Sequence, residues 1–390
     1  MNDRSNAPRC LLVSRAPTAG YPPTIYQAEL LAEQGYAVTV ADTGSTTEFR
    51  KATSNAAVAH QALFQGTASQ SLRNRLRRMV TFRRAAYRLV RSLRPALTIA
   101  YDSEACAAVR DAPRRVGGLL AWHFHEMWEP GGASFATNIA IRYARRNIRL
   151  PHIVIVPDRD RADVLIAETD MPASRVFIVM NCPRVTPRGC SSAQSAPDFG
   201  RDADVKLVVY NGSVGPDHGL ETAIESSMDW PNEARFVVKG RASAEYDQEL
   251  ARLAFECGVE RKFQRAPFEP GFGEYARAAI GWTVLEPVSR NWSFSAGASN
   301  KRFECMAAGV PQITDDTPAT RNLIDNVGCG LCISPHSRHE AAAAVNRLLS
   351  DDRLRAEMGQ RGRQAHLGEL NYESQFKPVV SYLEQRLRLG

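Results

Sequence analysis

The chain predicts an α/β protein made of two successive domains with parallel sheets, and three observations carry that expectation. Short β-rich runs alternate with runs of helical spacing along most of the sequence, the pattern of a parallel sheet covered on both faces. A stretch at 181–204 breaks the alternation. It holds Pro183, Pro187, Gly189, Pro197 and Gly200, has no apolar periodicity, and reads as a linker. Finally, 390 residues are too many for one ordinary core and suit two of roughly 150–200 residues. Residues 1–182 are therefore expected as a first domain, 183–204 as the linker, 205–370 as a second domain and 371–390 as a terminal helix.

In the first domain, strands are expected at 10–14, 37–41, 97–100, 119–124, 153–157 and 176–180. Helices are expected at 24–34, stopped by Gly35, and at 72–93, 138–149 and 159–167. After the linker, strands are expected at 206–210, 235–239, 280–285 and 310–314. Helices are expected there at 220–227, 246–257, 300–308, 338–349 and 352–366, with a last one at 372–389 kinked at Pro378. Two Rossmann-like halves place ligands at the carboxyl ends of their strands. No fixed-period similarity points to a solenoid.

Composition narrows the class. Hydrophobic content of 44% and charged content of 23% are globular values. No run of about 18 apolar residues marks a membrane span, and Met1–Ser5 opens no apolar stretch of the signal-peptide kind. Of the eight Cys, only Cys329 and Cys332 form a C-x-x-C, with no second pair beside it. Reduced thiols in a cytosolic protein are expected.

Net charge is +7 but uneven: residues 1–190 hold 26 basic and 15 acidic side chains, residues 191–390 hold 23 and 27. The basic half should attract an anionic partner, such as a membrane surface, a lipid-linked phosphate or a polyanion. Its arginines concentrate at Arg73, Arg75, Arg77, Arg78, Arg83, Arg84, Arg88, Arg91 and Arg94. They interleave with Leu76, Met79, Val80, Phe82, Tyr87, Leu89, Val90 and Leu93. A basic amphipathic helix over 73–94 suits the anionic inner face of a membrane, and it equally suits a solvated outer face. Arg142, Arg145, Arg146 and Arg149 form a second cluster. No nucleic-acid recognition module is identifiable, so nucleic acid is not an expected partner.

The most informative stretch is Ser299-Asn300-Lys301-Arg302-Phe303-Glu304-Cys305-Met306-Ala307-Ala308-Gly309-Val310-Pro311-Gln312-Ile313. Ser299 is placed to open a short helix that ends at Gly309 before a buried strand. Free N–H groups and the helix dipole at such an N-terminus attract anions, and Lys301 adds a cation. Glu304, one turn further in, can accept hydrogen bonds from ribose hydroxyls. Tyr210–Glu221 is a second Gly-rich turn between strand and helix, where backbone N–H groups at Gly212 and Ser213 can approach phosphate. Lys239 and Arg241 flank a Gly at a strand end, either as phosphate-binding cations or as surface charges. In the first domain, Gly20 lies in a Gly/Pro loop after the first strand. Trp122-His123-Phe124-His125-Glu126-Met127-Trp128-Glu129 gathers imidazoles, carboxylates and indoles at another strand end. Trp128 suits stacking on a sugar face. His123 and His125 share a face, which keeps a metal site open as a rival, although no third ligand is identifiable.

Residues 300–313 fit N-K-x-F-E-x-M-A-x-G-V-P-x-I, which resembles the donor-site signature of the family-four glycosyltransferases, retaining enzymes of the GT-B fold. The resemblance covers most of the chain. It implies two Rossmann-like domains facing across a cleft and transfer of a sugar from a nucleotide diphosphate sugar, UDP by default, to an acceptor hydroxyl. The acceptor is a glycan, a lipid-linked molecule or a small molecule. Donor contacts are implied at Gly20, Gly212, Ser213, Lys239, Arg241, Phe268, Ser299, Asn300, Lys301 and Glu304. Phe268, in Gln264-Arg265-Ala266-Pro267-Phe268, would face the nucleobase. His125, Lys301 and Glu304 carry catalysis, and His123, Glu126 and Trp128 the acceptor. No cofactor and no metal are required. The terminal helix commonly packs back on the first domain in such proteins.

Two departures stand out. No Lys or Arg occurs between 207 and 234, where relatives often carry a basic pair, so Asn211, Ser213 and His218 are the polar substitutes. Ala296 stands where many relatives have the first of two Glu. Glu286, at a strand end, is the nearest replacement. These departures keep a non-catalytic sugar-nucleotide-binding partner of another transferase open. A nucleotide-sugar epimerase of the same fold is the other alternative.

Overall fold

The computed structural model describes residues 7–53, 55–64, 72–129, 134–185, 205–266 and 271–388. The chain divides into two compact units, Met1–Asn181 with Tyr372–Gly390, and Cys182–Asn371. Most of the expected linker, at 186–204, lies outside the described residues, as do Pro267 and Phe268.

Among the described residues the first unit holds seven strands: β1 (Arg9–Val13), β2 (Ala37–Asp42), β3 (Val58–Ala62), β4 (Leu97–Tyr101), β5 (Leu119–His123), β6 (Ile153–Val156) and β7 (Val176–Ile178). They pair in the order β3-β2-β1-β4-β5-β6-β7, and every pairing is parallel. The two-residue period of β1 explains how the sheet is covered. Leu11 and Val13 join one apolar cluster, with Phe82, Ala105 and Leu120. Cys10 and Leu12 join another on the opposite face, with Ile25, Leu31 and Val40. The terminal helix Tyr372–Arg388 runs through Pro378 and delivers Tyr372, Phe376, Val379 and Leu383 to that second face. Gln375 Oε1 also accepts the Met180 N–H at 3.4 Å.

The second unit holds β8 (Lys206–Asn211), β9 (Ala234–Lys239), β10 (Phe263–Ala266), β11 (Ala278–Trp282), β12 (Gln312–Asp315) and β13 (Gly330–Ile333). Their order is β10-β9-β8-β11-β12-β13, again with parallel pairings. In both sheets the winding direction reverses beside the first strand of the unit, at β1/β4 and at β8/β11. Loops leaving the carboxyl ends diverge at such a point and open a crevice.

Several elements escape the period-based reading, for physical reasons. β3 is an edge strand with the sequence VAHQA, buried mainly at Val58. β10 is an edge of the other sheet, so 263–266 is strand where the apolar pattern marks none. The helix Asp102–Val109 is buried from Ala105 to Val109, and a helix apolar all round shows no stripe. Thr46–Ala52 and Pro318–Val327 are two further helices that the reading missed. The expected strand 280–285 begins and ends earlier, as β11. Beyond it, the Leu285 N–H donates to the Asp315 side chain at 3.2 Å instead of extending a ladder.

A buried ion pair fixes the helix Asn300–Ala308 to the sheet. Arg302 and Asp315 are both fully buried, and Arg302 Nη2 donates to Asp315 Oδ1. Arg302 Nε donates to Thr314 Oγ1 at 3.0 Å and Nη1 to the Ser295 carbonyl at 2.7 Å. Asp315 accepts from Thr317 Oγ1 at 2.7 Å. Removing one partner of a pair so enclosed strands the other charge, at about 3–5 kcal/mol. Asp315→Ala is therefore expected to lower the urea midpoint of the second unit's unfolding. Replacing both partners, as Arg302→Met with Asp315→Leu, is expected to recover much of the loss. Equal midpoints for wild type and Asp315→Ala would contradict the assigned role.

Candidate functional site

In the second unit the expected donor residues lie at or beyond the carboxyl ends of β8, β9 and β11. Ser299 caps the helix Asn300–Ala308 in an extended conformation but makes no side-chain cap bond. Its hydroxyl and Asn300 Oδ1 are buried atoms without a hydrogen-bond partner among the described residues. The first N–H groups of a helix have no intrahelical acceptor either. Unsatisfied polar atoms at a helix N-terminus form a receptor for an anionic, hydroxyl-bearing ligand.

Lys301 and Glu304 flank this end, both half-buried. The Lys301 ammonium lies over the Tyr210 ring, 5.0 Å from its centroid. Burial, aided by neighbouring Arg302, lowers its pKa to about 8. Burial raises the Glu304 pKa to about 7, against the opposing charges of Lys301 and Lys239. Asn211 Nδ2 approaches Glu304 Oε2 at 3.4 Å and also donates to the Gly271 carbonyl at 3.1 Å. A cation and a carboxylate whose charges are both disfavoured in the free protein are poised for a ligand that supplies compensating charge and donors.

The turn after β8 is built by close backbone approach. The Gly212 N–H donates to the Lys239 carbonyl at 3.1 Å, and the Val214 N–H to the Arg241 carbonyl at 3.0 Å. Gly240, at φ +151°, has no room for a side chain, because a Cβ would sit 1.7 Å from the Gly212 carbonyl oxygen. A Cβ on Gly212 would meet Lys301 Cδ at 3.2 Å, so the turn and the helix end are in contact. Ser213 is exposed beside them. His218 is buried, its Nδ1 3.0 Å from the Gly215 carbonyl. Burial and the Lys301 charge lower its pKa to about 4, so it is neutral near pH 7.

The two cations after β9 separate. Lys239 is 2% exposed and pairs with buried Glu274 at 2.6 Å. That corrects its reading as a phosphate ligand: its charge is neutralised inside the unit and acts on Glu304 at a distance. Arg241 is exposed. Ala296 is buried. Glu286 lies 3.7 Å from His336 Nδ1, with its pKa raised by burial and by Glu221 and Asp217.

In the first unit, Gly20 ends a short turn, Thr18–Gly20. Asp42 at the end of β2 holds that turn, accepting from the Thr18 N–H at 2.7 Å and lying 3.0 Å from His60 Nε2. A Cβ on Gly20 would meet nothing within 4 Å, so packing does not demand glycine there. His125 is 7% exposed. Its ring lies 3.9 Å from that of Tyr21, its Nδ1 3.3 Å from Asp102 Oδ2, and its N–H donates to Asp102 Oδ1 at 2.8 Å. Nε2 is left without a partner among the described residues.

His123 is fully buried against His125, with ring centroids 4.6 Å apart. Burial and His125 keep it neutral, far below its ordinary pKa. Full burial removes His123 from acceptor contact. The Glu126 carboxyl reaches solvent, yet local desolvation, opposed by Arg161, raises its pKa. Trp128 Nε1–H donates to Ser103 Oγ at 2.9 Å, and its ring packs on Phe124 and under Arg145. Its polar edge and one face are thus committed within the unit. Among the described residues no group of three or more His, Cys, Asp or Glu is placed to hold a metal, and no helix is long and apolar enough to cross a membrane.

Arg302, Asp315 and Asp102 are the residues sequence reasoning missed. Arg302 occupies the unspecified position of N-K-x-F-E, and Asp102 follows directly on the fully buried β4. A carboxylate at the end of a buried strand is the signal that was available. Asp102 also adopts φ +56°, a conformation uncommon for a non-glycine residue.

Both units have known counterparts. The model for glycosyl transferases group 1 matches residues 192–365, and that for the glycosyl transferase 4-like domain matches 25–182. A D-inositol 3-phosphate glycosyltransferase of Xylanimonas cellulosilytica is 29% identical over 223 residues, 54% of this chain and 52% of that protein. An alpha-D-kanosaminyltransferase of Streptomyces kanamyceticus is 25% identical over 215 residues, 53% of each chain. The chain thus spans about half the length of these curated relatives. The structure of Anabaena HepE in complex with UDP and glucose superposes with a TM-score of 0.74 at 14% identity, covering 97% of this chain and 100% of that one. That likeness shows the fold, two parallel-sheet α/β domains of the GT-B class. With one model matched in each unit, the chain belongs to the glycosyltransferase family that these two models describe.

Proposed function

We propose that this protein transfers a sugar from a nucleotide diphosphate sugar to an acceptor hydroxyl with retention of configuration. The observation that carries the reading is the helix end at Ser299–Glu304. Unpartnered Ser299 Oγ and Asn300 Oδ1 stand there beside a half-buried ammonium and a half-buried carboxyl. In this reading Lys301 and the helix N-terminus hold the diphosphate, and Glu304 accepts the ribose hydroxyls. The HepE complex with UDP and glucose supports UDP as the donor nucleotide to try first.

The acceptor oxygen attacks the anomeric carbon on the face the diphosphate leaves. The bond from that carbon to the diphosphate oxygen breaks, and the departing diphosphate takes the acceptor proton. Preorganised donors stabilise the charge that develops on it. His125, fixed through Nδ1 by Asp102, offers Nε2 to the sugar or acceptor. Burial lowers the pKa of His123 and of His218, so these two imidazoles add no positive charge to the diphosphate near pH 7. Ala296 and the cation-free turn after β8 leave Lys301 and Glu304 a larger share of donor binding.

Calorimetry with UDP and GDP tests the site. Glu304→Ala is expected to weaken UDP binding at least tenfold, and unchanged affinity would remove Glu304 from the site. Turnover of a donor panel by wild type separates transfer from binding alone. Saturable UDP binding without transfer or hydrolysis of any donor would favour the non-catalytic reading.

The paired titrations give a pH signature. The ribose acceptor role needs an ionised Glu304, and diphosphate binding needs a protonated Lys301. UDP affinity should therefore rise through about pH 7 and fall above about pH 8. Glu304→Gln should flatten the rising limb relative to wild type. The same carboxyl has a stability consequence. Its folded pKa lies above its ordinary 4.5, so its contribution is full below that value and is lost as pH rises through about 7. Glu304→Gln should thus melt above wild type at pH 8, and the gap should close near pH 5.

His125→Ala is expected to abolish most transfer while leaving UDP affinity within twofold. A parallel loss of UDP affinity would place His125 in donor binding instead.

A further inference from the structure

The Leu72–Leu93 helix borders a cavity that neither candidate site uses. It is an open depression of about 380 Å³ lined by Arg83, Arg84, Arg88 and Arg110, with Val80, Tyr87 and Ala108 as apolar walls. Arg110 comes from a different element. It follows the Asp102–Val109 helix in an uncommon conformation, φ +50° and ψ −130°, that turns the chain at this point. Among the described residues, none of the four guanidiniums has an ion-pair or hydrogen-bond partner. Arg115, by contrast, has Asp111 within reach. Here burial and the neighbouring Arg110 charge destabilise the Arg83 cation and push its pKa down.

Four unpaired guanidiniums around one cavity repel each other, and an anion bound among them relieves that repulsion. Guanidiniums match phosphate in particular, because their paired N–H donors meet two of its oxygens at once. The cavity is also larger than a bare phosphate needs, and next to it the Glu104 carboxylate is already paired with Arg15 at 3.5 Å. Arg83 lines a second, adjoining cavity with Met79 and Ile139. Ile139 is 40% exposed, and Phe135, one turn earlier on the Phe135–Arg146 helix, is 74% exposed.

We propose that the Arg83/Arg84/Arg88/Arg110 pocket binds the phosphate group of a ligand distinct from the nucleotide donor, with the body of that ligand lying toward Val80 and Ile139. The same chemistry is offered by a phospholipid headgroup at a membrane surface and by a soluble phosphate compound.

Two probes separate these sources, both with the full chain. Inorganic pyrophosphate is titrated by calorimetry, and phosphatidylcholine vesicles with and without phosphatidylglycerol are tested by flotation. Arg84→Glu with Arg88→Glu is compared with Arg91→Glu with Arg94→Glu, which makes the same charge change at the carboxyl end of that helix and just beyond it, outside the pocket. The pocket pair is expected to weaken binding of the effective probe at least tenfold, the outer pair less than threefold, with melting temperatures matched. Arg110→Gln, on the other element, should weaken the same probe. Binding to phosphatidylglycerol vesicles alone assigns the phosphate to a lipid, and binding to pyrophosphate alone assigns it to a soluble ligand. The proposal is overturned if wild type binds neither probe, if the two charge-reversed pairs lose binding equally, or if the pocket pair binds as wild type does.

Discussion

The buried contact between Arg302 and Asp315 is the constraint on which the proposed donor site depends. Helix Asn300–Ala308 has only nine residues, too few to stand alone in water. Its position follows from one guanidinium that reaches the end of β12, the Ser295 carbonyl and the Thr314 hydroxyl together. The neighbouring residue, Lys301, is thereby turned toward Tyr210 and the Gly212 turn. Arg302 also disfavours the Lys301 charge. One ion pair thus sets both the geometry of the site and part of its electrostatics.

The same device recurs in the first unit. Asp42 ends β2 and takes the Thr18 and Gly44 N–H groups. Asp102 follows β4 and takes the His125 N–H. Asp315 ends β12 and takes the Leu285 N–H. In each case a carboxylate at the carboxyl end of a strand fastens the loop of a neighbouring strand. Loops at a sheet's carboxyl edge have few ladder bonds of their own, and a charge-assisted hydrogen bond is the strongest short-range anchor open to them. His125 is held in this way itself, and Gly20 lies two positions beyond Thr18.

Charge is used differently by the two units. The second buries its cations against carboxylates, as Lys239 against Glu274 and Arg302 against Asp315. That leaves Lys301 as the ammonium lying over Tyr210 beside the helix end. The first leaves several arginines unpaired on one helix. Net charge alone does not distinguish these arrangements, because a paired and an unpaired arginine count equally.

The amino-acid sequence by itself determined the class of fold and most of the long elements, and it named the helix end that the structure furnishes with unpartnered polar atoms. Alternation of strand and helix, the break at 181–204 and the run at 299–313 all depend on neighbours close in the chain, where periodicity and capping act. The helices Leu72–Leu93 and Asn300–Ala308 were legible to the residue for that reason. Tertiary structure decided what depends on distant partners. It made β3 and β10 edge strands, whose weak patterns are completed only by pairing. It buried Lys239 against Glu274, 35 positions away in sequence, and removed a cation from the expected phosphate contacts. It tied His125 to Asp102 across two strands, and it made an unspecified Arg302 the anchor of the site. Burial and pairing of a charge are properties of the folded surroundings. They are set when strands far apart in sequence become neighbours, and no local pattern records them.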